Sequence, residues 1–546
     1  MLISSKTPKT GAARWVSYKF DFDVFAAAFG SIRQKASNGP TFNRQEIELR
    51  SGPAEVAMRL LIRNALIVTM NEQHDVIEKG SIAIDGNRLL YVGPAEWTPA
   101  GPFDRTIEAD RLIAMPGMVN AHCHSPANLF RGMMPSKPLE IWRAYYRASL
   151  RDMRDEDFYA SALLGGMEML KSGATTVLDH FFGNLACRFL GAGAAVQAMR
   201  DLGLRHVVSL TLSDKNYEET IPLEVTVSNL GNEIKRMSQS ESKATRAWLD
   251  ECEAFIDTFH HPDELSVCCP GPSAVQRCSD DLLQGAAEIA RKKKLPMHIH
   301  LAETKAQAIM GQQLYGTSLL KHLDSIGVLE SNLSLAHSIW IEPGDVELFT
   351  KSGATPVHNP ASNLRIGSGL APVRQFLSAG AYVALGTDGA ASNDGQNMFD
   401  ALRLSALIHN EAGTDFDEWV KPVQALAMAT RNGARAFGLD AGALAPGKLA
   451  DVVLLRRDGP AFTPLNDIMG QLVFCENGSS VDTVIVNGEM VVKEARLTKI
   501  DEEEVLRLAT HARERLHPSI QREIAAAKTM EPALAEMYYR VFGRRD

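Results

Sequence analysis

Short apolar runs alternate with helix-like stretches through the middle of the chain, from residue 115 to 446. Such alternation predicts β/α units whose strands form a parallel sheet. Eight runs fit this pattern, at 117–124, 174–180, 204–212, 264–270, 295–303, 332–338, 353–359 and 381–388. Eight parallel strands with helices between them predict an α/β fold, a (β/α)8 or TIM barrel.

Strands of a different kind flank this region. The stretch 58–114 alternates apolar and polar residues in short runs, with a hairpin-type turn at Asp85-Gly86. The stretch 447–498 does the same around Asn487-Gly488. We therefore expect one small β-sandwich domain built from both stretches.

Three segments fall outside this pattern. Residues 1–57 are unpatterned and are interpreted as an N-terminal extension, although the apolar residues of 20–32 could instead form a docking helix. The connection 214–261 is too long for a simple loop and is interpreted as a helical insertion. Residues 499–546 open with acidic residues suited to a helix start, which predicts a helical tail on the barrel exterior.

Composition narrows the function. The chain has 546 residues, 45% of them hydrophobic, and a net charge of -9. This charge argues against nucleic acid or an anionic membrane as a partner and favours a small-molecule substrate. Seven scattered cysteines and the lack of a signal sequence or apolar span indicate a cytoplasmic protein. We also expect a homo-oligomer of two or more chains.

Metal-ligand residue types fall at the carboxyl ends of the predicted strands, where barrel enzymes carry their chemistry. His122 and His124 lie two apart at the end of the first strand, so both imidazoles face the barrel interior. His300 ends the fifth strand and Asp388 the eighth. A lone histidine is usually an ordinary structural side chain, but this set predicts one divalent ion per chain, zinc with Fe²⁺ as the alternative.

Four segments carry a family resemblance, namely PGMVNAHCHS, MHIHLAET, LAHS and LGTDGAASND. They resemble the signature segments of amidohydrolases, in the one-metal branch of S-adenosylhomocysteine and guanine-type deaminases and triazine hydrolases. The resemblance runs from about residue 58 to 497. Two-metal members bridge their ions with a modified lysine at the end of the fourth strand, where this chain has Cys268-Cys269-Pro270, so one metal is expected.

The resemblance also implies residue roles. His300 would be the third imidazole ligand, Glu303 a proton shuttle, His337 a catalytic histidine beside the metal, and Asp388 both ligand and base. A bound Zn²⁺ lowers the pKa of its water from 15.7 toward about 7. Attack on a ring carbon, with Glu303 protonating the ring nitrogen, would then expel ammonia, an amine or chloride.

Substrate contacts are less well determined. Trp142 resembles a tryptophan beside the ring in triazine hydrolases, and Arg131 and Ser392 are further candidates, although such residues often only pack against their own barrel. Asn359, Asn363 and Asn393 are expected to shape the loops around the pocket. Ordinary structural roles are preferred for His298 and considered as good an explanation as substrate contact for His180 and His358.

Three functions compete. The first is hydrolytic deamination of a purine, pterin, triazine or similar heterocycle, favoured by Glu303 and His337. The second is displacement of chloride or an alkylamine, or amide hydrolysis; triazine chlorohydrolases carry Asn directly after the metal-binding Asp, where this chain has Gly389. The third is an inactive binding protein on the same fold, and the complete set of ligands and acids argues against it.

Overall fold

The computed structural model describes residues 16–18, 47–49, 58–183, 188–222, 244–412 and 415–543. Within the N-terminal extension it places two short strands, β1 (Val16–Tyr18) and β2 (Ile47–Leu49), which pair antiparallel. The apolar segment 20–32 lies outside the described residues, so neither interpretation of it is tested.

Strands from both flanking stretches join in one nine-stranded sheet. Antiparallel pairing of β7 with β16 connects the two stretches, with Pro116 opposite Val452 and Leu112 opposite Arg456. A separate cluster of buried aliphatic side chains, among them Leu60 and Ile485, packs within this sheet. The strands are β3 (Arg59–Val68), β4 (Val76–Asp85), β5 (Arg88–Pro94), β6 (Arg105–Glu108), β7 (Leu112–Pro116), β16 (Val452–Arg456), β17 (Val481–Val486), β18 (Glu489–Lys493) and β19 (Arg496–Leu497).

The eight predicted barrel strands are all present, and they run in sequence order as two four-stranded parallel sheets. The sheets meet at both edges: Ala274 bridges to His300 on one side, and the Asp388 amide donates to the His122 carbonyl at 2.8 Å on the other. The strands are β8 (Met118–Cys123), β9 (Ala174–Phe181), β10 (Arg205–Leu212), β11 (Ser266–Pro272), β12 (Met297–Leu301), β13 (Leu333–His337), β14 (Thr355–His358) and β15 (Ala384–Leu385).

These strands are continuous apolar runs because both of their faces are covered. Every residue of β9, β10 and β11 is buried, as expected when helices cover a parallel sheet from outside and side chains fill the barrel. The eighth strand is shorter than predicted. Tyr382 turns outward and is 49% exposed, with the Arg435 guanidinium 3.9 Å from its ring centre, so ladder pairing begins only at Ala384.

Helices follow most barrel strands. Several begin at a side-chain cap that satisfies a free backbone N–H, as at Ser279, Thr304 and Ser318. The helices are α1 (Leu139–Leu150), α2 (Asp155–Lys171), α3 (Arg188–Leu202), α4 (Thr245–Phe259), α5 (Asp280–Lys293), α6 (Lys305–Tyr315), α7 (Leu319–Ser325), α8 (Asp345–Ser352), α9 (Pro360–Arg365), α10 (Val373–Ser378), α11 (Met398–Leu407), α12 (Pro422–Ala429), α13 (Arg431–Ala436), α14 (Ile468–Phe474) and α15 (Glu502–Phe542).

Two helices lie in segments that fall outside the β/α pattern, the insertion 214–261 and the tail 499–546. In the insertion 214–261, α4 accounts for the helical pattern, and residues 223–243 lie outside the described part of the chain. The tail forms α15, a helix of 41 residues whose start is capped by the Asp501 carboxylate. It packs on α1 and α2, and Glu531 accepts hydrogen bonds from the Tyr145 hydroxyl at 2.6 Å and the Lys137 ammonium at 2.8 Å. None of the helices described is long and apolar enough to cross a membrane.

Candidate active site

Three imidazoles converge at the carboxyl ends of β8 and β12. One ring nitrogen from each of His122, His124 and His300 lies within 4.8 Å of the others, and the Nε2 atoms of His124 and His300 are 3.4 Å apart. The opposite nitrogens bond to backbone: His124 Nδ1 to the His180 carbonyl at 2.6 Å, and His300 Nδ1 to the Ser273 carbonyl at 2.5 Å. Because a carbonyl only accepts, each Nδ1 carries the proton and each Nε2 presents a lone pair.

The same tautomer is imposed on His122 by a relay of side chains. Ser334 Oγ donates to the Met297 carbonyl at 3.3 Å and accepts from His298 Nδ1 at 2.7 Å. His298 Nε2 is then the acceptor for His122 Nδ1, at 2.8 Å. His122 Nε2 is left buried with no hydrogen-bond partner in the described part of the chain, an orphaned nitrogen of the kind that a metal ion satisfies.

Asp388 completes the cluster. Its Oδ1 lies 3.5 Å from His122 Nε2 and 3.4 Å from His124 Nε2. Burial alone would raise the pKa of this carboxyl, but the contacts with His122, His124 and His337 together outweigh it and hold the pKa well below its usual range. Hydrogen bonds from Ser362 Oγ at 2.5 Å and the Gly389 amide at 2.6 Å favour the ionised form as well. The carboxylate is therefore charged at neutral pH.

The backbone around Asp388 is tightly constrained. Asp388 has a φ of 63°, in the left-handed region, and His337 has a φ of 71°. Side chains rarely adopt such angles unless the surrounding structure holds them there. Next to Asp388, a Cβ on Gly386 would lie 2.9 Å from the His122 Cβ and 2.5 Å from Asn359 Oδ1. Only glycine lets this segment approach β8 closely enough to bring Asp388 to the histidines.

The charge state of the imidazoles suits a cation. Burial lowers the pKa of His122 to about 4 and lowers that of His300 well below its usual value. Both rings are therefore neutral at pH 7, and a metal can bind them without displacing a proton. Three imidazoles with one carboxylate form the donor set of a divalent metal site of the zinc type.

A second carboxyl stands beside this cluster. Glu303 follows β12, and its Oε2 lies 3.8 Å from His337 Nε2 at the end of β13. Burial raises the pKa of Glu303 to about 7, although His337 acts in the opposite direction. His337 Nδ1 pairs with Asn363 Oδ1 at 2.9 Å, which turns the lone pair of Nε2 toward Glu303 and Asp388. Glu303 can therefore be protonated or ionised near neutral pH while it lies beside His337.

These residues line one cleft, which encloses about 880 Å³ of space including its open mouth. Trp142 lies in its wall, with its ring stacked on Tyr146 at 4.9 Å and its Nε1 donating to the Ala391 carbonyl at 3.0 Å. Ser392 also lines the cleft, and its hydroxyl donates to Asp388 at 3.2 Å.

Arg131 is not among the residues that line this cleft, and its contact with substrate stays a prediction. Its guanidinium pairs with Glu168 at 2.9 Å and donates to the Asn128 carbonyl at 3.2 Å, so both contacts turn it into the structure. His180 and His358 have structural partners: His180 Nδ1 pairs with Ser209 Oγ at 2.7 Å, and His358 pairs with His409 at 3.1 Å.

Some cleft residues were missed in the sequence. Glu140, at the start of α1, is buried and accepts from Thr304 Oγ at 2.6 Å, and burial raises the pKa of its carboxyl. Arg143, Arg147 and Arg277 also line the cleft. The signal that could have found the first two arginines is their own spacing of four residues, which places both on one face of α1. Arg277 has no such neighbour in the sequence.

Comparisons with known proteins agree with this geometry. The amidohydrolase family model matches residues 113–491. A 5'-deoxyadenosine deaminase from Methanosarcina mazei is 32% identical over 84% of this chain and 98% of its own length. A 5-methylthioadenosine/S-adenosylhomocysteine deaminase from Moorella thermoacetica is 35% identical over 82% of this chain and 97% of its own length.

A solved structure shares the whole architecture. Atrazine chlorohydrolase from Arthrobacter aurescens TC1, complexed with zinc, superposes with a TM-score of 0.74 at 26% identity, covering 83% of this chain and 100% of that one. The family match includes β8 through β15 and every residue of the imidazole and carboxylate cluster. The chain therefore belongs to the amidohydrolase family.

Proposed function

We propose that this chain hydrolytically removes the amino group of a nitrogen heterocycle, with one zinc ion per chain held by His122, His124, His300 and Asp388. The observation that carries the proposal is the buried Glu303 carboxyl, whose pKa is raised to about 7 beside that ligand set. A zinc ion at these ligands would supply hydroxide at neutral pH by lowering the pKa of its water.

The protein groups divide the proton transfers between them. Asp388 is ionised and His337 presents the lone pair of Nε2, so either can hold the proton lost by the attacking water. Glu303, 3.8 Å from His337 Nε2, is placed to protonate a ring nitrogen while the neighbouring ring carbon is attacked. As the tetrahedral adduct collapses, the proton held by Asp388 or His337 passes to the leaving amino group, which departs as ammonia, and the adduct hydroxyl returns a proton to Glu303 as the ring C=O bond forms.

The cleft suits a flat ring. Trp142, Tyr146 and Phe182 contribute aromatic surface to its wall, and aromatic faces pack well on planar heterocycles. We propose Trp142 and Ser392 as substrate contacts. The two relatives named as deaminases of adenosine derivatives make an adenine nucleoside the first substrate to test.

Displacement of chloride is the second candidate, because the solved neighbour is an atrazine chlorohydrolase. Gly389 argues against it. A Cβ at this position would lie 3.0 Å from the Ala127 Cβ and 3.2 Å from the His124 Cβ, so the cleft has little room for the asparagine that follows the metal-binding aspartate in triazine chlorohydrolases.

The test is to measure metal content and product release together. We expect about one zinc per chain by elemental analysis, because three imidazoles and one carboxylate complete a single four-ligand site. A panel of adenine nucleosides, pterins, aminotriazines and chlorotriazines should release ammonia and not chloride. Two metal equivalents, no metal after zinc supplementation, or chloride as the main product would refute the corresponding part of the proposal.

Glu303→Gln should separate chemistry from metal binding. We expect zinc content to stay near one per chain while kcat falls by roughly a hundredfold or more, because the variant loses a proton donor and keeps the ligands. Glu347→Gln on the exposed side of α8 is the matched control and should behave like the parent protein. A kcat within a few-fold of the parent would remove Glu303 from the mechanism.

A further inference from the structure

Asp388 has a backbone conformation that is uncommon for a residue with a side chain. Its φ of 63° lies in the left-handed region, where such a residue stays only if the surrounding structure holds it. Its amide donates to the His122 carbonyl at 2.8 Å, and its carboxylate accepts from Ser362 and Gly389. The remaining polar group is the main-chain carbonyl. A group that holds this carbonyl helps to fix the direction in which the carboxylate points.

Gln396, in the loop between β15 and α11, holds that carbonyl. Its Nε2 donates to the Asp388 carbonyl at 2.9 Å. Its Oε1 accepts from the Thr387 hydroxyl at 2.5 Å. The side chain of Gln396 is fully buried, and both ends of its amide are used. One glutamine is therefore bonded to Asp388 and to the residue before it.

The hydrogen bonds continue to the first barrel strand through Asn120. Its Nδ2 donates to Thr387 Oγ1 at 2.7 Å, and its Oδ1 accepts from the Thr387 amide at 3.1 Å. The same Oδ1 accepts from the amide of His122 at 3.4 Å. One side chain on β8 therefore joins the backbone of a proposed metal ligand to the backbone next to Asp388.

Asn120, Thr387 and Gln396 form a polar network whose hydrogen bonds run in one direction. Asn120 donates to the Thr387 hydroxyl, and that hydroxyl donates to Gln396. Gln396 in turn donates to the Asp388 carbonyl. Successive buried donors polarise each other, which strengthens each bond. All three side chains are no more than 1% exposed, so loss of one member would leave a buried polar group without its partner.

We propose that the polar network positions Asp388 relative to His122 and thereby raises the affinity of the site for its metal ion. The network contacts these two residues at backbone atoms, so its members are positioning residues and not ligands. Partners of this kind change metal affinity by about 10–100-fold, because a ligand that is already in place loses less conformational freedom on binding. The inference rests on the proposed metal site and states how its carboxylate is held.

Thr387→Val tests the centre of the network, because valine has nearly the shape of threonine and lacks the hydroxyl. We expect its zinc dissociation constant, measured by competition with a chromophoric chelator, to rise about tenfold or more over the parent value. Thr387→Ser keeps the hydroxyl and should stay close to the parent. Gln396→Leu removes the bond to the Asp388 carbonyl directly and should weaken zinc binding as Thr387→Val does.

A buried threonine elsewhere separates positioning from a general loss of stability. Thr430 is also fully buried, and its hydroxyl donates to the Leu426 carbonyl at 2.6 Å. Thr430→Val therefore loses a buried hydrogen bond of the same kind. It should keep the zinc affinity of the parent even if its melting temperature falls. Melting curves of the metal-free proteins show whether each variant is folded.

The absorption spectrum of the cobalt-loaded protein reports the arrangement of the ligands without any turnover. The visible bands of Co²⁺ depend on the number and geometry of its ligands. We expect these bands to differ from those of the parent in Thr387→Val and Gln396→Leu, because the carboxylate is no longer held in one direction. Thr387→Ser and Thr430→Val should give the parent spectrum.

The positioning role and the proposed function fail in different ways. Folded Thr387→Val and Gln396→Leu proteins with the zinc affinity and cobalt spectrum of the parent would overturn the positioning role, as would an equal loss of affinity in Thr430→Val. A parent protein that binds no zinc would overturn it together with the proposed metal site. A parent that binds zinc and releases no ammonia from any heterocycle would overturn the deamination alone, since affinity and spectrum are measured without turnover.

Discussion

At the scale of single residues, the most informative group is Glu303. Its pKa is raised from 4.5 to about 7 because the carboxyl is buried. A carboxyl whose pKa is raised by folding makes the folded state less stable once it ionises. The resulting loss of stability is absent below about pH 4.5 and complete above about pH 7. The burial that raises the pKa of Glu303 to about 7 therefore lowers the stability of the folded state once this carboxyl ionises.

This cost can be measured in metal-free protein. We expect Glu303→Gln to raise the free energy of unfolding at pH 8 by up to about 3 kcal/mol, because the neutral amide has no charge to bury. The gain should shrink toward zero near pH 5. Denaturant unfolding across this pH range checks it, with Glu347→Gln as the control for an exposed glutamate. A gain that is independent of pH would contradict the raised pKa.

The sequence identified the proposed ligand residues because their types and strand positions are both visible in it. His122 and His124 share a strand face by simple alternation, and the structure brings them together with His300 and Asp388. The sequence could not predict which ring nitrogen faces inward. The partner of Nδ1 is a carbonyl on β9 for His124 and the side chain of His298 on β12 for His122. Glu140 was missed because an acid in the first turn of a helix usually faces solvent.

At the scale of elements, α15 packs against α1, which forms one wall of the cleft. Glu531 of α15 accepts hydrogen bonds from Tyr145 on α1 and from Lys137, two residues before α1. The sequence predicted a helix here from its acidic start, but not its packing partner, because α1 lies more than three hundred positions earlier. The barrel strands were easier to find, since strands buried on both faces are continuous apolar runs.

Two leucines of α15 give a matched test of this packing. Leu534 is 3% exposed and Leu506 is 50% exposed. We expect Leu534→Ala to cost about 2–5 kcal/mol of stability, because it leaves a cavity in a packed interface. Leu506→Ala removes the same atoms from water-exposed surface and should cost less than about 1 kcal/mol. Similar melting temperatures for the two variants would show that α15 does not depend on this contact.

At the scale of the whole molecule, the nine-stranded sheet joins the two stretches of chain that flank the barrel. Antiparallel pairing of β7 with β16 joins segments on either side of the barrel, so the first and last barrel strands are held near each other by the sheet as well as by their own contacts. Alternation of apolar and polar residues predicted the strands of this domain, but not the pairing of β7 with β16, because nothing local records a partner so distant in the chain.

The N-terminal extension contributes none of the proposed ligands and precedes β3, where the nine-stranded sheet begins. A chain starting at Met58 should therefore fold, bind zinc and form the same oligomer, which we propose is a dimer or larger. Melting temperature, elemental analysis and size measurement by light scattering compare it with the full chain. Insolubility, a smaller assembly or a large drop in melting temperature would show that residues 1–57 cover an apolar surface.

The hydrogen bonds that orient His124 and His300 end on main-chain carbonyls, those of His180 and Ser273. A carbonyl is supplied by every residue type, so mutation at either position can leave this bond in place. Ser273 also lines the cleft, so a substitution there would change the cleft wall while the main-chain carbonyl that orients His300 stays in place.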